Sequence, residues 1–580
     1  MAIRIASFAG EIPRLIPRLL QKNFAQIAQN TKLEEGDLLP IRRGRFVTRL
    51  DEAAKTIYKS GDQWLAWASH VHVVPGPVAS DRLYITGDGA PKVMADGQTT
   101  LLALARPTSP VVASTGSAID DDTYFTVLYA YTWVTALDEE SEPSDLSNEV
   151  LVDTSATVTL NGFADPPAGR RVNRMRIYRS QTSALGATEL YFIAERAAQT
   201  GNFVDVIADN PIQEVIPSTD FNAPPDDLSG LIAMPNGMMA AFSGKKVYFS
   251  EPYKPHAWPE KYVLTVDYDI VGLGCFGSSI AILTTGSPYV AQGTAPENMV
   301  MDRLRVNLPC LSAQGIVDLG YAVAYPSPRG LVAVSQNGAV VASETVLTMD
   351  QWRFMQPETF IAGQFAGRYM ASYNYADEKG VARRGIMIMD LSGGTPFLVR
   401  ASDDADAMFF EVGAGRLFIL RNGVDVYEWD AISEPYGELL WRSKKFVLNS
   451  WSMFTCILIE GDPSLTAAQL QEINAKNAAK RERNAKLIAS GQTGGTIGEE
   501  AIGLTTIGGS LLDPVEESDV TFSATLYGDG EAIWTGYDLN RIMRLPGEKQ
   551  YRTWEIEIRS NQSITGLVLA YSPTEIAMGG

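Results

Sequence analysis

The chain is poor in the residues that build redox and metal chemistry, with three cysteines and three histidines among 580 residues. Cys275, Cys310 and Cys456 are scattered at no metal-ligand spacing, and an odd, sparse set argues against a disulfide framework. They read as buried thiols acting as small apolar side chains. His70 and His72 alternate onto one strand face, but no third ligand accompanies them and His256 lies in a Pro/Trp loop, so no zinc set is read. Gly-x-Ser-x-Gly elbows, phosphate loops and Cys/His pairs at a diagnostic spacing are also missing. The expectation is therefore a protein that is not an enzyme, with no catalytic, cofactor-binding or metal-ligating residue assigned. No apolar run approaches the ~20 residues of a membrane helix, and Met1-Ala2-Ile3-Arg4-Ile5 lacks a signal-peptide core. A soluble chain made in a cytoplasm is expected. Basic residues are scarce as well, 48 against 68 acidic ones, for a formal charge of −20. That balance argues against sequence-specific nucleic-acid binding, which needs clustered Lys and Arg, and suits a surface along which DNA slides without sticking.

What is abundant is apolar and aromatic: 45% hydrophobic residues, with 10 Trp, 23 Tyr and 21 Phe, ample for packed sheets in several domains. A short β-module recurs through the second half. Residues 412 to 420, then Asn422-Gly423, then 424 to 429 read as strand, tight turn, strand, because Asn-Gly supplies the positive φ angles of a type I′ hairpin. Residues 240 to 250, 279 to 283 with Thr285-Gly286, and 330 to 334 with Asn337-Gly338 share this grammar. A small sheet cannot bury both faces alone, so tandem units at spacings of roughly 40 to 50 residues imply blades around an axis, a β-propeller. Residues 53–106 supply further blade material, through short strands such as 82 to 86 and the Gly87-Asp88-Gly89 turn, and residues 226–441 supply the rest.

Between them the texture changes. Pro-rich boundaries at 106 to 110 and 222 to 225 bracket the segment 107–225, roughly the size of a sandwich domain. An aromatic strand at 124 to 134, a Ser141-Glu142-Pro143-Ser144 elbow and a strand ending in Tyr178-Arg179 resemble a fibronectin type III domain inserted into the propeller. A β-domain at 442–580 follows, interrupted by one long helix in an insertion at 464–490. Thr466 with Gln469 forms its capping box, and Gly491 sits where a C′ residue belongs. Lys476, Lys480, Arg481, Arg483 and Lys486 outnumber Glu472 and Glu482 on it, and its sizeable apolar residues are too few to anchor it within its own domain. These five cations are the candidate partner interface.

Other residue groups read more plainly. Asp403-Asp404-Ala405-Asp406 and Asp120-Asp121-Asp122 are loop charge, since glycoside hydrolysis needs two carboxylates held across a cleft. The loop from Tyr253 to Pro259 could offer aromatic faces to a sugar, but packing between blades accounts for it better.

In their order along the chain, several segments resemble the nozzle proteins of short-tailed bacteriophages, also called tail tubular protein B. They are 25 to 33 with 36 to 40, the unit at 84 to 93, Tyr527-Gly528-Asp529-Gly530, and 554 to 558 through 567 to 576. The resemblance implies a homohexameric tube in the virion tail, attached below the portal and head-to-tail adaptor. It retains packaged DNA, touches it transiently and without specificity, and conducts it during ejection. It also implies a platform β-domain built from both chain ends, 1–52 and the 442–580 segment, with tail fibres or spikes as further partners. A receptor-binding β-propeller for a host surface glycan and an envelope-degrading hydrolase are the competing readings. Oligomeric state separates them, a ring of six against a trimer or a monomer.

Overall fold

In the recurring hairpin, strand Arg416–Arg421 turns into Asp425–Glu428 through Asn422 and Gly423, whose φ angles are 53° and 71°. The Val424 N–H closes that turn on the Arg421 carbonyl at 3.1 Å. Its relative at 330 to 341 differs by one position. Ser335 pairs with Gly338, so the two turn residues are Gln336 and Asn337, and Gly338 opens the next strand. The computed structural model that shows this describes residues 2–116, 124–182, 188–376, 380–391, 396–462, 480, 482–489, 521–547 and 549–577.

The protein is mainly β, built from many small antiparallel sheets. Among the described residues, one hairpin, five four-stranded meanders and one three-stranded meander occur in turn along the chain, and the last four-stranded one continues into a ten-stranded sheet. Sheet A is the hairpin Thr56–Ser60 with Gln63–Trp67, and sheet B runs from His72–Pro75 to Gln98–Leu101. Sheet C runs from Ser229–Ala233 to Leu264–Thr265, sheet D from Ile270–Phe276 to Val300–Arg303, and sheet E from Val317–Asp318 to Gly338–Val341. Sheet F runs from Ile361–Phe365 to Leu398–Ala401, and sheet G holds Ala407–Glu411, Arg416–Arg421 and Asp425–Glu428.

From B round to G, and from G to A, each sheet buries a face against the next. Tyr84 and Val93 of B meet Met239 and Ala241 of C. Val247 and Phe249 of C meet Leu273 and Ile280 of D. The series continues to Phe418 and Leu420 of G, which pack on Ile57 of A. The first strand of each sheet touches the first strand of its successor from B round to G, and that of G touches A. Thr56 at the start of A then accepts from the Val71 N–H, just before B, at 3.1 Å, which gives the seven first strands a cyclic order.

Sheet G corrects one boundary. Its fourth strand is Arg45–Arg49, antiparallel to Asp425–Glu428. Residues 45–49 therefore belong with the meanders rather than with the platform segment 1–52, because the open edge of Asp425–Glu428 needs a strand to satisfy its donors and acceptors.

The two chain ends share another core. Ile3–Ile5 pairs with Leu567–Leu569, which also pairs with Ile457–Ile459. Ala25–Gln29 lies between Leu439–Ser443 and the end of sheet F, and Tyr551–Ser560 is one strand further out. Direct pairing of the 24-to-42 region with the last strands is thus confined to the Leu38–Ile564 bridge. Ile5, Phe8, Trp441, Trp554 and Leu567 fill one cluster, and the Trp441 indole N–H donates to the Ala9 carbonyl at 3.1 Å. Beside it the buried Glu11 carboxylate accepts from Arg400 at 3.0 Å and from the Ala28 N–H at 2.9 Å.

The segment 107–225 forms its own two-layered β-module. Strands Val112–Thr115, Thr157–Asn161 and Phe203–Val206 make one layer, and Tyr129–Thr135, Val172–Thr182 and Thr188–Ala197 the other, around Tyr131, Trp133, Val158 and Ile177. Its elbow works as a serine ladder. Ser141, Ser144 and Ser147 each donate N–H to a carbonyl of Trp133, Tyr131 or Tyr129, and each hydroxyl accepts the N–H of the same residue. The serine spacing of three thereby satisfies a strand edge without a further strand.

Replacing Trp441 with Ala removes a buried ring and its hydrogen bond to the chain start, and is expected to cost about 3–5 kcal/mol. A urea transition followed by circular dichroism checks this. A midpoint unchanged from the parent would show that the chain ends are not held by this core.

Candidate functional site

The segment Ile12-Pro13-Arg14-Leu15-Ile16-Pro17-Arg18-Leu19-Leu20 cannot form a regular helix with prolines at 13 and 17, and it folds as successive turns. Leu15 N–H bonds to the Ile12 carbonyl and Leu19 N–H to that of Ile16, at 3.0 and 2.9 Å. Ile12 and Leu20 are buried with Phe24 and pin both ends of the segment. Everything from Arg14 to Leu19 faces outward, with Ile16 50% and Leu19 62% exposed. Aliphatic side chains so placed, beside Arg14 and Arg18, make an apolar and basic ridge on an acidic protein.

The ridge is held from both sides. Thr348 and Gln351 cap the short helix Met349–Phe354 reciprocally, and Gln351 Nε2 donates to the Pro13 carbonyl at 2.9 Å. Arg14 N–H bonds to the Val346 carbonyl at 2.9 Å. On the other side Lys445 N–H bonds to the Pro17 carbonyl at 3.1 Å, and the strand that follows, Phe446–Ser452, exposes Val447 and 60% of Trp451. That strand pairs only with Tyr551–Ser560 among the described residues. A rigidly held apolar group flanked by cations fits an interaction surface. The sequence reading missed it because no spacing distinguishes an outward Leu19 from an inward Leu20.

Of the five cations expected at the interface, Lys476 and Arg481 lie outside the described residues. Lys480 and the helix over 482–489, with Arg483 and Lys486, are described. Lys486 pairs with Glu482 at 2.8 Å, both highly exposed, an arrangement worth little to stability. The rest of the expected helix in 464–490 lies outside the described residues.

The other sequence groups find local explanations. Asp403 pairs with Arg421, and Asp406 accepts the Gly423 N–H at 2.8 Å, so both brace the hairpin of sheet G. Asp120, Asp121 and Asp122 lie outside the described residues. The His70 and His72 rings meet edge to face at 4.9 Å, and no group of three or more potential metal ligands occurs among the described residues. In the loop from Tyr253 to Pro259, Trp258 is buried with its indole N–H on the Pro255 carbonyl at 2.9 Å, His256 is buried, and Tyr253 is exposed. Cys310 and Cys456 are buried and Cys275 is half-buried, with burial pushing the Cys310 thiol up to about 12. No described helix is long and apolar enough to cross a membrane.

A second locus joins the module to the sheets. Glu139 and Glu140 follow the Tyr129–Thr135 strand and are both buried. Arg170 Nη2 donates to Glu139 Oε2 at 2.7 Å, while Glu140 accepts from Thr132 at 2.8 Å, Arg176 at 2.6 Å and Tyr178. His256, from the loop between the last two strands of sheet C, places Nε2 3.0 Å from the Glu140 carbonyl. Burial, and then Arg170, push the His256 imidazole down to about 3.

No family model matches the chain, and no curated protein matches it. Solved structures with partial likeness include PorZ, a surface component of the type-IX secretion system of Porphyromonas gingivalis, at 12% identity and a TM-score of 0.21. That match covers 65% of this chain and 42% of PorZ, so the chain spans well under half of that protein. BBS1N, in complex with ARL6DN, is 8% identical over 68% of this chain and 98% of that one, with a TM-score of 0.25. Hsv2 of Kluyvelomyces marxianus is 10% identical over 53% and 89%, at 0.23. Scores this low establish no shared overall arrangement, and no functional statement passes from these proteins to this chain.

Two outcomes follow from the site. Changing Ile16, Leu19 and Trp451 to Ser should change the unfolding free energy by no more than about 0.5 kcal/mol per site, as for exposed positions. If the ridge meets a second copy of this chain, the concentration needed for self-assembly should rise at least about tenfold, as loss of one well-buried apolar contact implies. Unchanged assembly, followed by mass photometry, would remove the ridge as a contact between copies of the chain. At the junction, the His256 ring stays neutral in the folded chain above about pH 3, whereas the unfolded chain takes up the second ring proton near its ordinary 6.5. Stability is therefore fully present above 6.5 and falls as pH drops toward 3, by at most about 1.4 kcal/mol per pH unit. His256→Gln should flatten the decline of melting temperature between pH 6.5 and 4.5. An equal slope in the variant would contradict this.

Proposed function

We propose that the chain is a tail-nozzle subunit of a short-tailed phage. Six copies form a tube below the portal and adaptor that retains packaged DNA and conducts it during ejection. In this reading the cyclic series of sheets A to G is a β-propeller. The sheets shared by the chain ends are the platform, and the 107–225 module is a fibronectin type III-like sandwich carried outside the tube, where it can meet fibres or spikes.

The observation that carries the reading is the joining of both chain ends in one core beside a cyclic series of meanders. This is the combination the family resemblance implies, and a catalytic propeller has no evident need for it. The charge of −20 per copy supports the same reading, since a lumen lined by acidic and neutral side chains keeps passing DNA from adhering. The exposed ridge adjoins the shared core and supplies an apolar surface for a neighbouring subunit or the adaptor.

Mass photometry and negative-stain imaging of the purified full chain, over a range of concentrations, test the proposal. Six-fold rings with a central channel are expected. A stable trimer would favour a receptor-binding propeller instead, and a monomer at every concentration and with the adaptor present would remove the tube.

A further inference from the structure

Where the module meets sheets B and C, four polar atoms have no hydrogen-bond partner among the described residues: Tyr84 Oη, Glu139 Oε1, Arg170 Nε and His256 Nδ1. Their residues are 0%, 4%, 2% and 2% exposed, so bulk solvent does not serve them. Buried polar groups in native proteins are rarely left unpaired. These four belong to one place. Glu139 and Arg170 are bonded to each other, His256 Nδ1 is 3.9 Å from Glu139 Oε1, and Tyr84 lies within electrostatic reach of both Glu139 and Arg170. Arg82 also approaches the Tyr84 hydroxyl, without meeting hydrogen-bond geometry.

Their chemistry fixes what fits between them. His256 Nε2 faces the Glu140 carbonyl, which only accepts, so Nε2 carries the hydrogen and Nδ1 of the neutral ring is an acceptor. Glu139 Oε1 is an acceptor too, so these atoms cannot bond to each other. Arg170 Nε–H is a donor, and the Tyr84 hydroxyl can donate. Two acceptors and two donors are the complement of one water molecule. A cation would meet the Arg170 guanidinium and an anion would meet the Glu139 carboxylate, so a neutral molecule with both functions fits best. An oxygen about 2.8 Å from both His256 Nδ1 and Glu139 Oε1 would subtend roughly 90° across their separation, within the range of water.

We propose that one structural water is bound here, donating to His256 Nδ1 and Glu139 Oε1 and accepting from Arg170 Nε and Tyr84 Oη. It links the module, through Glu139 and Arg170, to Tyr84 of sheet B and to His256 in the last loop of sheet C. The inserted module is thus set in a fixed orientation on the meanders by a polar pin at its base.

A crystal structure of the full chain at 2 Å or better, near pH 7, tests the proposal. A single water peak within about 3.2 Å of all four atoms is expected. Absence of the peak, or direct contact between His256 Nδ1 and Glu139, would overturn it. With three histidines in the chain, ¹⁵N spectra of histidine-labelled protein, assigned by single substitutions, give a second reading. The neutral ring protonated at Nε2, with Nδ1 shifted by an accepted hydrogen bond, is expected for His256. An imidazolium or an Nδ1–H ring would overturn the assignment. Tyr84→Phe removes one donor while keeping the buried ring, and the peak should weaken or disappear. A peak of full occupancy in that variant would show that Tyr84 does not hold the water.

Discussion

Strand pairing between residues hundreds of positions apart is the constraint on which the rest of this structure depends. Arg45–Arg49 completes the sheet that begins at Ala407, and Ile3–Ile5 covers the edge of the strand that holds Leu567. An unpaired strand edge leaves a row of backbone donors and acceptors without partners and invites pairing with other chains. The first fifty residues therefore act as closing strands for structures assembled by residues 400 to 570. The Trp441 and Glu11 contacts lie in the same region and join the chain start to the later strands.

Charge follows the same logic. The chain is strongly acidic overall, yet several buried charges sit where separate segments meet, each with a partner. Glu11 pairs with Arg400, Asp205 with Arg179 and Tyr129, and Glu139 with Arg170. Pairs of this kind add little net stability over apolar replacements, but losing one partner strands the other in the interior. They therefore constrain which segments meet. Surface charge is left to govern what the assembled surface repels.

The local elements were legible in the sequence where the signal is local. Asn422-Gly423 announces its hairpin because two consecutive positive φ angles select those residues. The prolines at 107 and 225 bracket the module, and the packing role of Trp258 follows from its loop. Long-range partners were not legible. Nothing within Arg45–Arg49 shows that its neighbour is Asp425–Glu428 rather than the strands of the chain ends, because a period of two specifies a face and not a partner. The ridge from Arg14 to Leu19 escaped for a related reason, since alternating Leu and Arg on a turn-rich segment look alike whether buried or displayed. The buried junction of Glu139, Arg170, Tyr84 and His256 draws on four separated stretches, so only the folded chain assembles it.

The central claim is that the chain start folds as one unit with the chain end. Native-state hydrogen exchange of the full chain, followed residue by residue in the absence of denaturant, tests it most directly. Ile3–Ile5, Ala25–Gln29 and Leu567–Leu569 should be protected together and open in one cooperative step. Exchange of Ile3–Ile5 at the rate of an unstructured peptide, with Leu567–Leu569 still protected, would contradict the account.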